Sequence, residues 1–515
     1  ALVQDANGNA ITGAAVVFSS TNGADIIVPT MNTGVNGVAS TLLTHTQSGV
    51  SNVVATIDTV NANIDTTFVA GAVAAITLTT PVDGAVADGA NSNSVQAVVT
   101  DSGGNVVTGA TVVFSSSNAT AQITTVIGTT GADGIATATL TNTVAGTSNV
   151  VATVDTVNAN IDTTFVAGAV ATITLSVPVN DATADGVDTN QVDALVQDAN
   201  GNAITGAAVV FSSTNGADII VPTMNTGVNG VASTLLTHTV AGTSNVVATV
   251  DTVNANIDTA FVAGAVATIT LTTPVNGAVA DGADSNHVQA VVSDSDGNPV
   301  DGAAVVFSSA NATAQVTTVI GTTGADGIAT ATLTNTVAGT SNVVATVDTV
   351  NANIDTTFVA GAVATITLSV PVNDATADGV DTNQVDALVQ DANGNAITGA
   401  AVVFSSTNGA DIIVPTMNTG VNGVASTLLT HTVAGTSNVV ATVDTVNANI
   451  DTAFVPGAVA TITLTTPVNG AVADGANSNS VQAVVSDSDG NAVTGATVVF
   501  SSANATAQIT TVIGT

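Results

Sequence analysis

Apolar and polar residues alternate along this chain in short runs, each closed by a turn-forming pair. In residues 168–263 the run Ala169–Leu175 (AVATITL) has period two and halts near Pro178, which predicts a first strand ending there. Gln191–Gln197 predicts a second, with Val192, Ala194 and Val196 on one face. The Asn200-Gly201 pair then marks a tight turn, because both residues tolerate positive φ. Ala207–Ser213 predicts a third strand with Val209 and Phe211 inward, and a short fourth lies around Ala217–Val221. Val231–His238, Asn245–Val250 and Ala255–Val262 complete the set, with Ala232, Thr234 and Leu236 sharing one side of the fifth. About seven short strands, with a turn signal every 8 to 12 residues or so, predict an all-β sandwich.

The same pattern recurs about every 96 to 97 residues, and alternate copies are nearly identical. ALVQDANGNAITGAAVVFSS begins at Ala1, Ala194 and Ala387, a 193-residue super-repeat, and a related half-unit begins at Ala97, Ala290 and Ala483. Such periodicity indicates an array of small domains and argues against one large enzyme. The boundaries fall at 1–70 (partial), 71–167, 168–263, 264–360, 361–456 and 457–515 (partial). The two half-unit types differ between the third and fifth strands. Phe114 to Gly134 spans one residue more than Phe211 to Gly230, an insertion expected in a loop. A β-solenoid would need an inner period of roughly 20 to 30 residues, which is absent.

Composition supports strands and removes several function classes. Hydrophobic residues make up 45% of the chain, enough for cores, and Val, Thr and Ile dominate. Lys, Arg, Cys, Trp and Tyr are absent, and the formal charge is −37, all of it from Asp. Without cations no nucleic-acid footprint can be built, and anionic membranes repel the chain. No apolar run reaches the roughly 18 residues of a membrane span. The chain starts and stops inside a repeat, so it reads as a window onto a longer protein.

The repeat carries the frame A-x-I-T-L…A-D-G…D-x-x-G-N…G-A-x-V-x-F…G-x-A…L-T…A-G-T-S-N-V. In the third unit this is Ile173, Asp185-Gly186, Asp198, Gly201-Asn202, Gly206, Phe211, Gly230, Leu236 and Ala241-Gly242. It resembles the bacterial Ig-like domain of the invasin/intimin type, as found in giant repetitive bacterial surface adhesins. That resemblance implies tandem immunoglobulin-like sandwiches in an extracellular, cell-surface protein. It covers every repeat, and the chain departs from the usual pattern in lacking Lys.

Consecutive units join almost directly. Phe165-Val-Ala-Gly168 runs into the next strand at Ala169 with no Pro/Ser-rich hinge, so a semi-rigid rod is expected. Strands of about 7 residues at about 3.3 Å each give roughly 35–40 Å per unit. An up-and-down strand count sends the loop holding Asp181, Asp185 and Asp188 toward Asp294, Asp296 and Asp348 of the following unit. Carboxylates gathered without Lys or Arg either repel or hold a hard cation, so junctional Ca²⁺ is the one cofactor the sequence leaves room for. The turns Asp198-Ala-Asn-Gly-Asn202 and Asp294-Ser-Asp-Gly-Asn298 are not EF-hands, since Gly comes fourth and no Glu closes the loop. An Asx/Gly hairpin turn is the simpler reading.

Other chemistry is unsupported. His45, His238 and His431 share one strand end and recur two domains apart, while His287 is placed in a loop. No Gly-x-Ser-x-Gly elbow or phosphate-binding loop occurs, so no enzyme is expected. Asn118-Ala-Thr120, Asn311-Ala-Thr313 and Asn504-Ala-Thr506 match the glycosylation sequon, a modification not expected in a bacterial chain. Thr172-Ile-Thr174 and Thr137-Ala-Thr139 read as the solvent side of half-buried strands and not as an ice-binding face. The expected role is a stalk or spacer that projects a binding head and supports adhesion or biofilm. The alternative is a self-associating filament in which homotypic chains pack together, bridged by calcium. Alternation of the two half-unit types is expected to limit strand exchange between neighbours.

Overall fold

A computed structural model describes residues 1–511, and among these all regular structure is strand. The chain divides into two compact units, Ala1–Val262 and Ala263–Thr515, described separately below.

The domain at 172–262 in the first unit shows how the pattern folds. Its strands are β1 (Thr172–Val179), β2 (Ala182–Thr183), β3 (Asn190–Gln197), β4 (Ala208–Ser213), β5 (Asp218–Ile219), β6 (Thr223–Asn225), β7 (Val231–Thr237), β8 (Gly242–Val250) and β9 (Val253–Val262). One sheet has the order β1-β3-β7-β5, and the other β2-β9-β8-β4-β6. All pairings are antiparallel except β2 with β9. The inward faces are those the alternation predicts. Val192, Ala194 and Val196 meet Val209, Phe211, Leu236, Val246, Ala248 and Phe261 in one core. Ala194 pairs directly with Ala232, and both are buried. Two Phe rings and a row of Val fill the core beside these small side chains, without Trp or Tyr.

The structure adds two short strands to the seven expected, and extends the first. β1 runs through Pro178, because a bulge between Ser176 and Val179 lies where proline's missing N–H costs no ladder bond. The chain then crosses to the other sheet at Asp181, whose φ of 63° sits in the left-handed region. Asn190, fully buried, fixes this crossover. Its Oδ1 accepts the Ala182 N–H at 2.9 Å, and its Nδ2 donates to the Ala260 carbonyl at 2.7 Å. Asn93 makes the same pair of bonds in the domain at 75–166, and Asn286 and Asn383 do so in the second unit.

The one-residue difference between half-units is more than a loop insertion. In the 172–262 type the chain leaves the first sheet after two residues, passes Pro222 and joins the second sheet as β6. In the 75–166 type Gln122–Ile127 stays in the first sheet as a six-residue edge strand paired with Ile135–Thr141, and the second sheet ends at Val113–Ser116. The segment between the third and fifth predicted strands, which differs in sequence as well as by one residue, accompanies the change in which sheet owns the edge.

The second unit repeats both types, 268–359 with the Gln315–Ile320 edge and 365–455 with Thr416–Asn418, and ends in the pair Thr461–Val468 with Ser480–Ser486. Its cores contain the equivalent residues, such as Phe307 and Leu333 or Phe404 and Leu429.

Candidate functional site at the domain junctions

The turn after β3 concentrates hydrogen bonds on one carboxylate. Gly201, with φ of 83°, reverses the chain and lets the Asp198 carboxylate fold over its own turn. Oδ1 accepts the N–H groups of Asn200 at 2.9 Å and Asn202 at 2.8 Å. Oδ2 accepts the Asn202 Nδ2 at 2.9 Å and the Gly168 N–H, in the linker, at 2.8 Å. Two oxygens thus receive four donors, and Asp198 is only 4% exposed. Burial pushes this carboxyl up, but the bonds from Gly168, Asn202 and Asn200 outweigh it and hold the group below its ordinary range.

Asn202 faces the opposite way as well. Its Oδ1 accepts the Ala145 N–H at 2.8 Å and its Nδ2 donates to the Thr143 carbonyl at 3.0 Å, both in the preceding domain. Asn200 Nδ2 donates to the Ala87 carbonyl of that domain at 2.9 Å. One turn therefore grips the linker through Asp and two loops of the previous domain through Asn. A Cβ at Gly168 would come within 3.3 Å of Val86 Cγ1, so a larger residue there requires Val86 to shift by a few tenths of an ångström.

This latch recurs. Asp101 holds the Gly71 N–H at 2.8 Å, and Asn105 accepts the Ser48 N–H and donates to the Thr46 carbonyl, each at 2.8 Å. The Gly71 N–H, with the Asn105 side chain next, brings the Asp101 carboxyl down from 3.8 to about 2. In the second unit Asp391 holds Gly361, and Asn395 engages Ala338 N–H and the Thr336 carbonyl. Asp487 holds Gly457 while Asn491 engages Ala434 N–H and the Thr432 carbonyl. Burial raises the Asp487 carboxyl, yet Asn491 and Gly457 bring it to about 2.

The six acidic residues expected to bind calcium divide between the two units. Asp294 is itself a latch residue: its oxygens accept Gly264 N–H at 2.8 Å, Asp296 N–H at 2.9 Å, Asn298 N–H at 2.8 Å and Asn298 Nδ2 at 3.0 Å. Asp296 is exposed and accepts the Ser295 hydroxyl. Asp348 forms a hairpin turn with φ of 51°, and Asp181 marks the sheet crossover. Asp185 caps its own loop by accepting the Asp188 and Val187 N–H groups, which lower its carboxyl, and Asp188 is exposed. Among the described residues no three acidic or histidine side chains converge on a metal-sized space. The Asp294 oxygens accept four N–H donors.

The latch asparagine was visible as the Gly-Asn pair closing every D-x-x-G-N turn, but sequence alone did not reveal that its amide leaves the domain. His45, His238 and His431 lie edge-on to Phe68, Phe261 and Phe454 at 5.6–5.7 Å between ring centres. His287 is not in a loop. It occupies the solvent side of the strand Ser285–Ser293, opposite Val275, two residues after the strand begins. Asn118 uses its amide within the fold, donating to Ser148 Oγ at 3.1 Å, and Asn311 does the same to Ser341.

Residues 1–69, 75–166, 172–262, 268–359 and 365–455 match the bacterial Ig-like domain (group 1) family. The inverse autotransporter adhesin YeeJ of Escherichia coli is 33% identical over 329 residues, which are 60% of this chain and 14% of that protein. Among solved structures, the Escherichia coli adhesin FdeC aligns at 24% identity over 57% of this chain and all of its own, with a TM-score of 0.43. Invasin, a bacterial integrin-binding protein, aligns at 23% identity over 78% of this chain and 82% of its own, with a TM-score of 0.39.

Proposed function

Because this chain belongs to the bacterial Ig-like domain (group 1) family, we propose that it is a spacer segment of a bacterial surface adhesin, holding a distal binding region away from the cell. The recurrent Asp–Asn latch carries this reading. A flexible tether would need no bonds between domains, whereas at the junctions of Gly71, Gly168, Gly361 and Gly457 the linker N–H is taken by a carboxylate and the same turn holds loops of the previous domain. Such junctions resist bending, so added repeats add reach. A relative that is an inverse autotransporter adhesin supports a place on the bacterial exterior.

The test is reach. Parent proteins carrying one or two deletions of the 193-residue period, displayed on cells, should lose height of a distal epitope in equal steps. Binding by the isolated distal region should stay constant. Unchanged height would overturn the spacer reading. Calcium bridging is decided separately, since amide-closed junctions keep their melting temperature and scattering profile in chelator, whereas cation-closed ones lose both. A second reading, a filament of laterally associated chains, is favoured by one observation, the open edge strand of the 75–166 type.

A further inference from the structure

The edges of these sandwiches are guarded unequally. At 172–262 the first sheet ends in two residues, Asp218–Ile219, one charged, and Pro222 follows. Charge, proline and shortness are the usual means by which an edge strand avoids pairing with another chain. At 75–166 the same sheet ends in Gln122–Ile127 (QITTVI), which has six residues, no charge and no proline. Its inner side pairs with Ile135–Thr141, and beyond its outer side no strand follows in the sheet among the described residues. Val126 is 61% exposed there, and Val113, on the neighbouring edge of the other sheet, 60%. The domain at 268–359 repeats the arrangement with Gln315–Ile320 (QVTTVI), where Val319 is 62% exposed.

We infer that Gln122–Ile127 and Gln315–Ile320 are docking edges for a second copy of this chain, pairing antiparallel, edge to edge. Charge selects this occupant. With 37 Asp and no Lys or Arg, two copies repel over most of their surface. Residues 102–132 and 302–325 contain no Asp, so two chains approach there at least cost. A cationic partner would be drawn to the Asp-bearing loops instead. An identical edge also meets itself across a two-fold axis, satisfying both rows of main-chain groups at once. The bulge between Thr125 and Ile127, repeated between Thr318 and Ile320, bends each edge and confines flat pairing to about four residues. A single contact is therefore weak, and recurrence every 193 residues supplies the avidity.

This inference rests on the filament reading and leaves the spacer reading independent of it. The test uses the full 515-residue chain in chelator-containing buffer, comparing sedimentation equilibrium at low and high sodium chloride. Association should strengthen with salt as Asp repulsion is screened. Hydrogen exchange on the associated form should show new protection at 122–127 and 315–320. A chain carrying Thr124→Asp, Thr317→Asp and Thr510→Asp, the same sequence position in the third copy, should keep its circular dichroism and melting temperature. It should lose association by about tenfold or more. A wild-type chain that stays monomeric in high salt overturns both the filament reading and these edges. Association that the triple variant retains, or that protects other residues, overturns the edges alone. The reach experiment judges the spacer reading whichever result appears.

Discussion

One residue separates the polar interior of the two domain types. In the 75–166 type, Ser148 Oγ is buried and accepts Asn118 Nδ2 at 3.1 Å and Asn142 Nδ2 at 3.2 Å. In the 172–262 type, the position of Asn142 is His238, which turns edge-on to Phe261, and Ser244 Oγ is buried with no hydrogen-bond partner. Ser51 and Ser437 repeat this state. Opposite outcomes are expected for the same substitution. Ser148→Ala with Ser341→Ala strands two amide donors per domain and should cost about 1–3 kcal/mol in each. Ser244→Ala with Ser51→Ala and Ser437→Ala removes a hydroxyl that has no partner and should be neutral or stabilising by up to about 1 kcal/mol. Denaturant melts of the two variant chains check this, and equal destabilisation would contradict it. At the latch, Asn202→Ala removes the bonds to Ala145 and Thr143 and one donor to Asp198. It should cost about 1–3 kcal/mol and free the Gly168 amide to exchange, whereas the exposed Asn200→Ala should do less.

At the scale of elements, period-two alternation placed the inward residues of β3, β4 and β7 without error, because burial on one sheet face imposes that period directly. The junctional turn was legible as D-x-x-G-N and as an Asx/Gly hairpin turn, and Asp294 was singled out, but the four N–H donors around its carboxylate were not all legible. Those donors lie 2, 4 and 30 residues away along the chain, and no local pattern reports the last of them. β2 and β6 were missed for a related reason: strands of two or three residues are stabilised by β9 and β4 and not by their own composition. Most consequential was the segment between Phe114 and Gly134, which differs from 211–230 in length and in sequence. Replacing that segment with residues 211–230 should move the edge strand from the first sheet to the second. Hydrogen exchange would then show protection at the transplanted Thr223–Asn225 equivalent and its loss at the Gln122–Ile127 position.

For the molecule as a whole, the recurrence of one latch makes acid a common trigger. Asp101 and Asp487 titrate at about 2 in the folded chain against an ordinary 3.8, and Asp198, Asp294 and Asp391 are also lowered. A carboxyl whose folded pKa is depressed contributes stability that is complete above its unfolded value and fades as pH falls through the folded one. The urea midpoint should therefore be flat from neutrality to about pH 5 and drop between about 4 and 2. Because Asp holds the linker, the Gly71, Gly168, Gly361 and Gly457 amides should lose exchange protection in that same window. Neutralising the other carboxylates removes the repulsion that opposes folding and association, so a purely charge-driven chain would become more stable on acidification. The two accounts have opposite signs. A midpoint that rises below pH 4 would show that net charge, and not the Asp–Asn latch, governs how these domains are held together.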